Sequence, residues 1–146
     1  MPTLRVMGEA DLDRVAEINQ RSFPNPWSRE LLAKELSHTW STVLLAEEGP
    51  ELCGFLVLWK VYDELHILNV ATAPAFRRRG IARQMLTEAH RLAVAQGAAM
   101  ATLEVRASNK AAQALYEAMG YKKVGLRPDY YQAENEDALI MSRPLP

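Results

Sequence analysis

Between residues 65 and 106 the chain reads as an apolar β-run, a basic turn, a long amphipathic helix and a second apolar β-run. Leu65 to Thr72 is the first run, closed by Pro74. Ile81, Met85, Ala89, Leu92 and Ala93 then fall on one helical face, and Gly97 marks the stop. Met100 to Arg106 is the second run. A helical connection of this kind joins parallel strands, and ligands of open α/β sheets gather at the carboxyl ends of such strands. The turn at that place, FRRRGIARQML over 76–86, puts three arginines, a glycine and a fourth arginine at a helix start. First-turn amides have no intrahelical acceptor, and the helix dipole adds partial positive charge. Gly80 permits close backbone approach, while Arg77, Arg78, Arg79 and Arg83 offer bidentate donors. Two readings follow: a solvated basic turn, or the seat of a polyanion.

The remaining segments build a sheet around that unit. Thr3–Met7, Ser41–Glu47, Leu52–Tyr62, Tyr121–Leu126 and Ala138–Met141 read as strands, with EEGPE as a hairpin turn. Leu12, Val15, Ala16 and Ile18 have helical spacing within Glu9–Arg21, and Ser28 caps a short helix carrying Leu31, Leu32 and Leu36. After Ser108 or Asn109, Ala112, Leu115, Tyr116 and Met119 line a last helix closed by Gly120. The order β-α-α-β-β-β-α-β-α-β-β predicts an α+β domain, a mixed sheet covered by helices.

The length of 146 residues predicts one domain, 1–146. A formal charge of -1 argues against general nucleic-acid binding, so any phosphate partner is small and met locally. Cys53 is the one cysteine and sits in an apolar run, which excludes an internal disulfide and fits a reducing, cytoplasmic setting. The first residues carry no apolar signal segment, and GFLVLW at 54–59 is too short to span a bilayer, so no membrane partner is expected. His38, His66 and His90 lack metal-ligand spacing, and no metal is expected. His38 and His90 are expected at the surface.

VATAPAFRRRGIA resembles the acetyl-CoA-binding segment of the GCN5-related N-acetyltransferases, a V/I-x-x-x-P lead-in followed by Q/R-x-x-G-x-G/A. Arg77 stands where glutamine is commoner, and Ala82 where a second glycine is commoner. Neither weakens the resemblance, because main-chain amides hold the pyrophosphate. The resemblance implies that Val70, Ala71 and Thr72 meet pantetheine, and that Arg78, Arg79, Gly80, Ile81, Ala82 and Arg83 wrap the pyrophosphate. It also implies a mostly antiparallel sheet of six to seven strands flanked by about four helices.

LEVRASN, ALYEAMGY, the Tyr130–Tyr131 pair and EDALIM resemble, in order and spacing, the RimI branch of that family. That branch acetylates the N-terminal alanine of a small-subunit ribosomal protein, so the resemblance implies such a peptide as acceptor. Glu104 would then be the general base and Tyr116 the acid for the departing thiolate, with Asn109 a side-chain ligand of the cosubstrate as well as an N-cap. Without the resemblance, Glu104 reads as a surface glutamate on a strand, and Tyr116 as a core aromatic. The chemistry is sound: a peptide α-amine has a reference pKa of about 7.7–8.0, against about 10.4 for lysine, so part of it is neutral near pH 7. No serine or cysteine lies beside a base, which favours direct attack in a ternary complex. The acidic stretch Glu134, Glu136 and Asp137 would suit a basic tail, or is an ordinary charged loop. Two alternatives share the fold: transfer to a small-molecule amine, and a catalytically silent coenzyme-A-binding module.

Overall fold

A computed structural model of the protein describes residues 2–23, 26–131 and 136–146. Seven strands form one sheet: β1 (Thr3–Val6), β2 (Ser41–Glu48), β3 (Glu51–Val61), β4 (Glu64–Thr72), β5 (Met100–Arg106), β6 (Lys122–Tyr131) and β7 (Glu136–Pro144). Four helices accompany it: α1 (Leu12–Ser22), α2 (Arg29–Glu35), α3 (Ile81–Ala95) and α4 (Lys110–Ala118). The strand order is β1-β2-β3-β4-β5-β7-β6, antiparallel everywhere except at β4–β5. The helical crossover over 65–106 therefore makes the parallel pair that its pattern predicts. β7 returns between β5 and β6, so the last two strands pair out of chain order.

Period-2 alternation divides the sheet into two faces, each with its own core. Leu65, Ile67, Leu103 and Val105 meet Ile81, Met85, Leu86 and Ala89 of α3 on one face. Phe55, Val57 and Ala71 meet Val15, Ile18 and Leu32 on the α1–α2 face. Of the leucines expected to anchor α2, only Leu32 is buried; Leu31 and Leu36 are exposed. Seven residues make barely two turns, and the helix buries Leu32 and Glu35.

Gly54 sets how closely α3 and β4 approach β3. A Cβ there would lie 2.5 Å from the Ala71 carbonyl oxygen and 3.3 Å from Met85 Cε. Only a residue with no side chain fits.

The helix expected from Glu9 starts later. Glu9–Asp11 is a 3-10 turn, and α1 begins at Leu12. Asp11 fixes this entry: it is buried, accepts the Gly8 amide at 2.8 Å, and is gripped by Arg5 at 2.6 Å and Arg14 at 2.8 Å. Both arginines also meet Glu47 on β2, tying α1 to the sheet. The Arg5 hydrogen bond, chiefly, holds the Asp11 carboxyl far below the usual carboxylate range.

Two outcomes follow for stability. Gly54→Ala should cost about 2 kcal/mol in urea denaturation, because β3 and β4 have to separate; an unchanged midpoint would show that they yield freely. Asp11→Asn should cost about 2 kcal/mol at neutral pH. Since the folded-state pKa is depressed, this difference is complete above the unfolded-state value of about 3.9 and shrinks as pH falls below it. Melts of both proteins from pH 7 down to pH 3 check the sign.

Candidate active site

β4 and β5 pair only from Glu64↔Met100 to Ile67↔Leu103. At that level β4 changes register against β3, from Leu58↔Ile67 to Val57↔Asn69, which leaves Leu68 as an extra residue. Such a bulge bends a strand and ends regular pairing. Beyond it β4 and β5 are unpaired with one another, and a cleft of about 590 Å³ opens between them. Phe23 and Trp27 wall it on the α1–α2 side; Val70, Glu104, Asn109, Tyr116 and Tyr130 face it from four other elements. Five of the residues singled out in the sequence thus meet in one place: Val70, Glu104, Asn109, Tyr116 and Tyr130.

Glu104 lies between Leu103 and Val105, whose side chains enter the α3 core, so alternation turns its own side chain to the α1–α2 face. It is no surface glutamate: the side chain is 28% exposed and its Oε1 is 3.5 Å from Arg127 Nε. Oε2 is buried with no hydrogen-bond partner, and so is Asn69 Nδ2. Both residues line the cleft. Buried polar groups are nearly always paired, so an unpaired acceptor and an unpaired donor here fit a polar ligand. Burial, followed by the charge and hydrogen bond of Glu104, pushes the Tyr130 hydroxyl up.

Tyr116 reaches the cleft from α4, on the other face of the sheet. It is 8% exposed, so it is both a core aromatic and a cleft residue. Its ring packs edge-on against Tyr121 at 5.9 Å, and the Tyr121 hydroxyl is 2.7 Å from His90 Nε2. His90 is consequently not the surface residue its sequence context suggests. Burial, and then the Arg143 charge, lower its pKa to about 4. The ring is neutral near pH 7 and fixes Tyr121 behind Tyr116. His38 is partly exposed and stacks on the exposed Trp40 at 4.5 Å.

The basic turn lies past the end of β4. Pro74–Phe76 forms a 3-10 turn, and Arg78 and Gly80 both take left-handed backbone angles, φ 65° and 76°. Gly80 is the N-cap of α3 and supplies no side-chain cap, and no acidic residue stands in the first turn. The amides at the start of α3 are thus left to an outside acceptor. The arginines divide their work. Arg77 donates to the Thr72 carbonyl at 3.2 Å, and Arg79 faces Glu48 at 3.7 Å and the Phe76 ring at 5.1 Å. The Arg78 and Arg83 guanidiniums have no hydrogen bond or ion pair among the described residues. Ile81 is buried in the α3 core, so only its main chain is available to a ligand. Ala71 is likewise buried, whereas Val70 opens on the cleft. Asn109 caps α4 by accepting the Ala112 amide at 3.1 Å through Oδ1.

Of the acidic stretch, Glu134 lies outside the described residues. Glu136 is engaged internally, 3.3 Å from Arg106 and accepting the Ser108 amide at 3.0 Å. It latches the β5–α4 loop instead of presenting a carboxylate to a basic tail. No periodicity singles out Asn69, Phe23 and Trp27 as cleft residues, or Arg127 as a neighbour of Glu104. Only the fold brings them there. Among the described residues no helix is long and apolar enough to cross a membrane.

Comparison with known proteins agrees with this geometry. The model of the Acetyltransferase (GNAT) family matches residues 12–121. A protein of Bacillus subtilis (strain 168) is 35% identical over 139 residues, covering 94% of this chain and 92% of that one. The [ribosomal protein bS18]-alanine N-acetyltransferase of Escherichia coli (strain K12) is 33% identical over 147 residues, covering 99% of each. The crystal structure of the ribosomal-protein-S18-alanine N-acetyltransferase from Escherichia coli superposes with a TM-score of 0.92 at 32% identity, covering 99% of this chain and 94% of that one. With the splayed strands and the uncapped basic turn in place, the chain belongs to the GNAT family and is an acetyltransferase.

Proposed function

We propose that this protein transfers acetyl from acetyl-CoA to the N-terminal α-amine of a ribosomal protein, with alanine as the acceptor residue. The observation that carries the reading is the buried, unpartnered Oε2 of Glu104, in the same cleft as Tyr116. Near-full-length similarity to the Escherichia coli enzyme supports the choice of acceptor.

The donor side is built largely from main chain. Val70, Ala71 and Thr72, on a stretch of β4 that β5 no longer covers, offer backbone pairing to pantetheine. The amides from Gly80 to Arg83, with the Arg78 and Arg83 guanidiniums, suit a diphosphate, and Arg79 stands nearby on Glu48. Asn109 keeps its carboxamide nitrogen available while its oxygen caps α4. When bound, acetyl-CoA supplies a thioester whose carbonyl carbon accepts an amine.

The chain's own residues handle the protons. Glu104 Oε2 takes a proton from the acceptor ammonium, directly or through one water. An α-amine, about two units less basic than lysine, gives up that proton readily. Tyr116 holds a hydroxyl proton for the sulfur that departs. With reference values of about 10 for tyrosine and about 8.5 for a thiol, full transfer is uphill by roughly 2 kcal/mol, a small part of a catalytic barrier. Attack is direct, within a ternary complex.

Steady-state kinetics on a peptide with an N-terminal alanine check the roles. Glu104→Gln should lower kcat by about 100-fold, and Tyr116→Phe by a similar factor, while acetyl-CoA affinity changes by less than about twofold. Loss of folding in circular dichroism would assign either side chain to structure alone. An acceptor screen decides the substrate class: turnover of small amines only would defeat the peptide reading. Gly80→Val isolates the donor site. A Cβ at Gly80 meets nothing within 4 Å, so the cost is the positive φ and not a clash. Calorimetry should show acetyl-CoA affinity falling at least tenfold, with a stability loss of only about 1–2 kcal/mol; unchanged affinity would remove the turn from the donor site.

A further inference from the structure

Two side chains gather beside the Glu104 carboxylate on one side. Arg127 Nε is 3.5 Å from Oε1, the Arg127 guanidinium carbon is 5.2 Å from the Tyr130 ring centre, and Tyr130 lines the same cleft as Glu104. Arg127 and Tyr130 belong to β6, which is separated from β5 by β7. The register sets Arg127 level with Ala138 and Ala138 level with Arg106, so the guanidinium reaches across β7 to the neighbouring strand. In a regular strand, residues three apart point to opposite faces. The irregularity between Arg127 and Tyr131 in β6 removes that constraint, and both side chains meet over one carboxylate.

Arg127 is 53% exposed, so this ion pair adds little to stability. Its geometric effect is larger. With Oε1 engaged from the β6 side, Oε2 is left buried and open to the cleft. We propose that Arg127, steadied by the Tyr130 ring, is a positioning residue that holds Glu104 in the one orientation that presents Oε2 to the acceptor amine. It touches neither the acceptor nor acetyl-CoA, and it acts only through Glu104. Its charge also balances the half-buried carboxylate, so Glu104 stays in place without clamping an incoming ammonium as an unpaired carboxylate would.

The inference rests on the reading of Glu104 as proton acceptor, and a double-mutant cycle tests it. Initial rates are measured with acetyl-CoA and a peptide bearing an N-terminal alanine, for wild type, Arg127→Ala, Arg127→Lys, Glu104→Gln and the double variant Arg127→Ala/Glu104→Gln. Arg127→Ala should lower kcat about tenfold with the KM for acetyl-CoA unchanged, since a carboxylate displaced by an ångström loses catalytic alignment. Arg127→Lys should recover most of that loss. In the Glu104→Gln background, Arg127→Ala should cost nothing further. An equal loss in both backgrounds, a raised KM for acetyl-CoA, or an unchanged kcat would each overturn the proposal. If wild type acetylates only a small primary amine, the peptide reading fails on its own, and the same cycle run on that amine decides the role of Arg127.

Discussion

The separation of β4 from β5 after Ile67↔Leu103 is the constraint on which the site depends. Parallel strands joined by a helix would ordinarily continue side by side and bury their edges against one another. Here the extra residue at Leu68 turns β4 away, and two lengths of unpaired main chain face an open cleft. Exposed strand edges are costly unless something completes them. In this molecule the same edges are available to an extended ligand, and the gap lets side chains from both faces of the sheet reach one volume. Without the bulge, Glu104 on the α1–α2 face and Tyr116 on the α3–α4 face would be on opposite sides of a closed layer.

Charge is organised as locally as geometry. The chain is almost neutral, yet the start of α3 gathers arginines around amides that nothing internal caps. Arg77 and Arg79 are spent on Thr72, Glu48 and Phe76, which shape the turn. The Arg78 and Arg83 guanidiniums have no such partner among the described residues. Elsewhere charges are consumed in pairs: Asp11 with Arg5 and Arg14, Glu136 with Arg106. The cleft differs, because there one oxygen of Glu104 is paired and the other is not.

Features set by local pattern were legible in the sequence. The strand–helix–strand unit, the parallel pair, the Ser28 and Asn109 caps and the basic helix start all follow from periodicity and residue type. They reappear within a residue or two of their expected limits. Features set by long-range contact were not. The burial of His90 depends on Tyr121, 31 positions away, and Arg127 meets Glu104 only because β7 inserts between β5 and β6. Gly54 reads as an ordinary glycine in an apolar run until β4 and α3 are packed on it. The late start of α1 belongs to the same class, since Asp11 is held by Arg5 from another element.

The two halves of the site are made of different material, and this limits what likeness of fold can say. The proposed donor half consists mainly of backbone: amides at α3, an uncovered edge of β4, and a glycine in a left-handed turn. Backbone geometry survives wide changes of sequence, so the donor half travels with the fold. The acceptor half consists of side chains on the α1–α2 face and on β6: Phe23, Trp27, Glu104, Arg127 and Tyr130. Glu104, Arg127 and Tyr130 lie outside both core clusters, whereas Phe23 and Trp27 also pack against the α1–α2 core. On the proposed reading the acceptor is selected by that second set, where the buried oxygen of Glu104 is left unpaired.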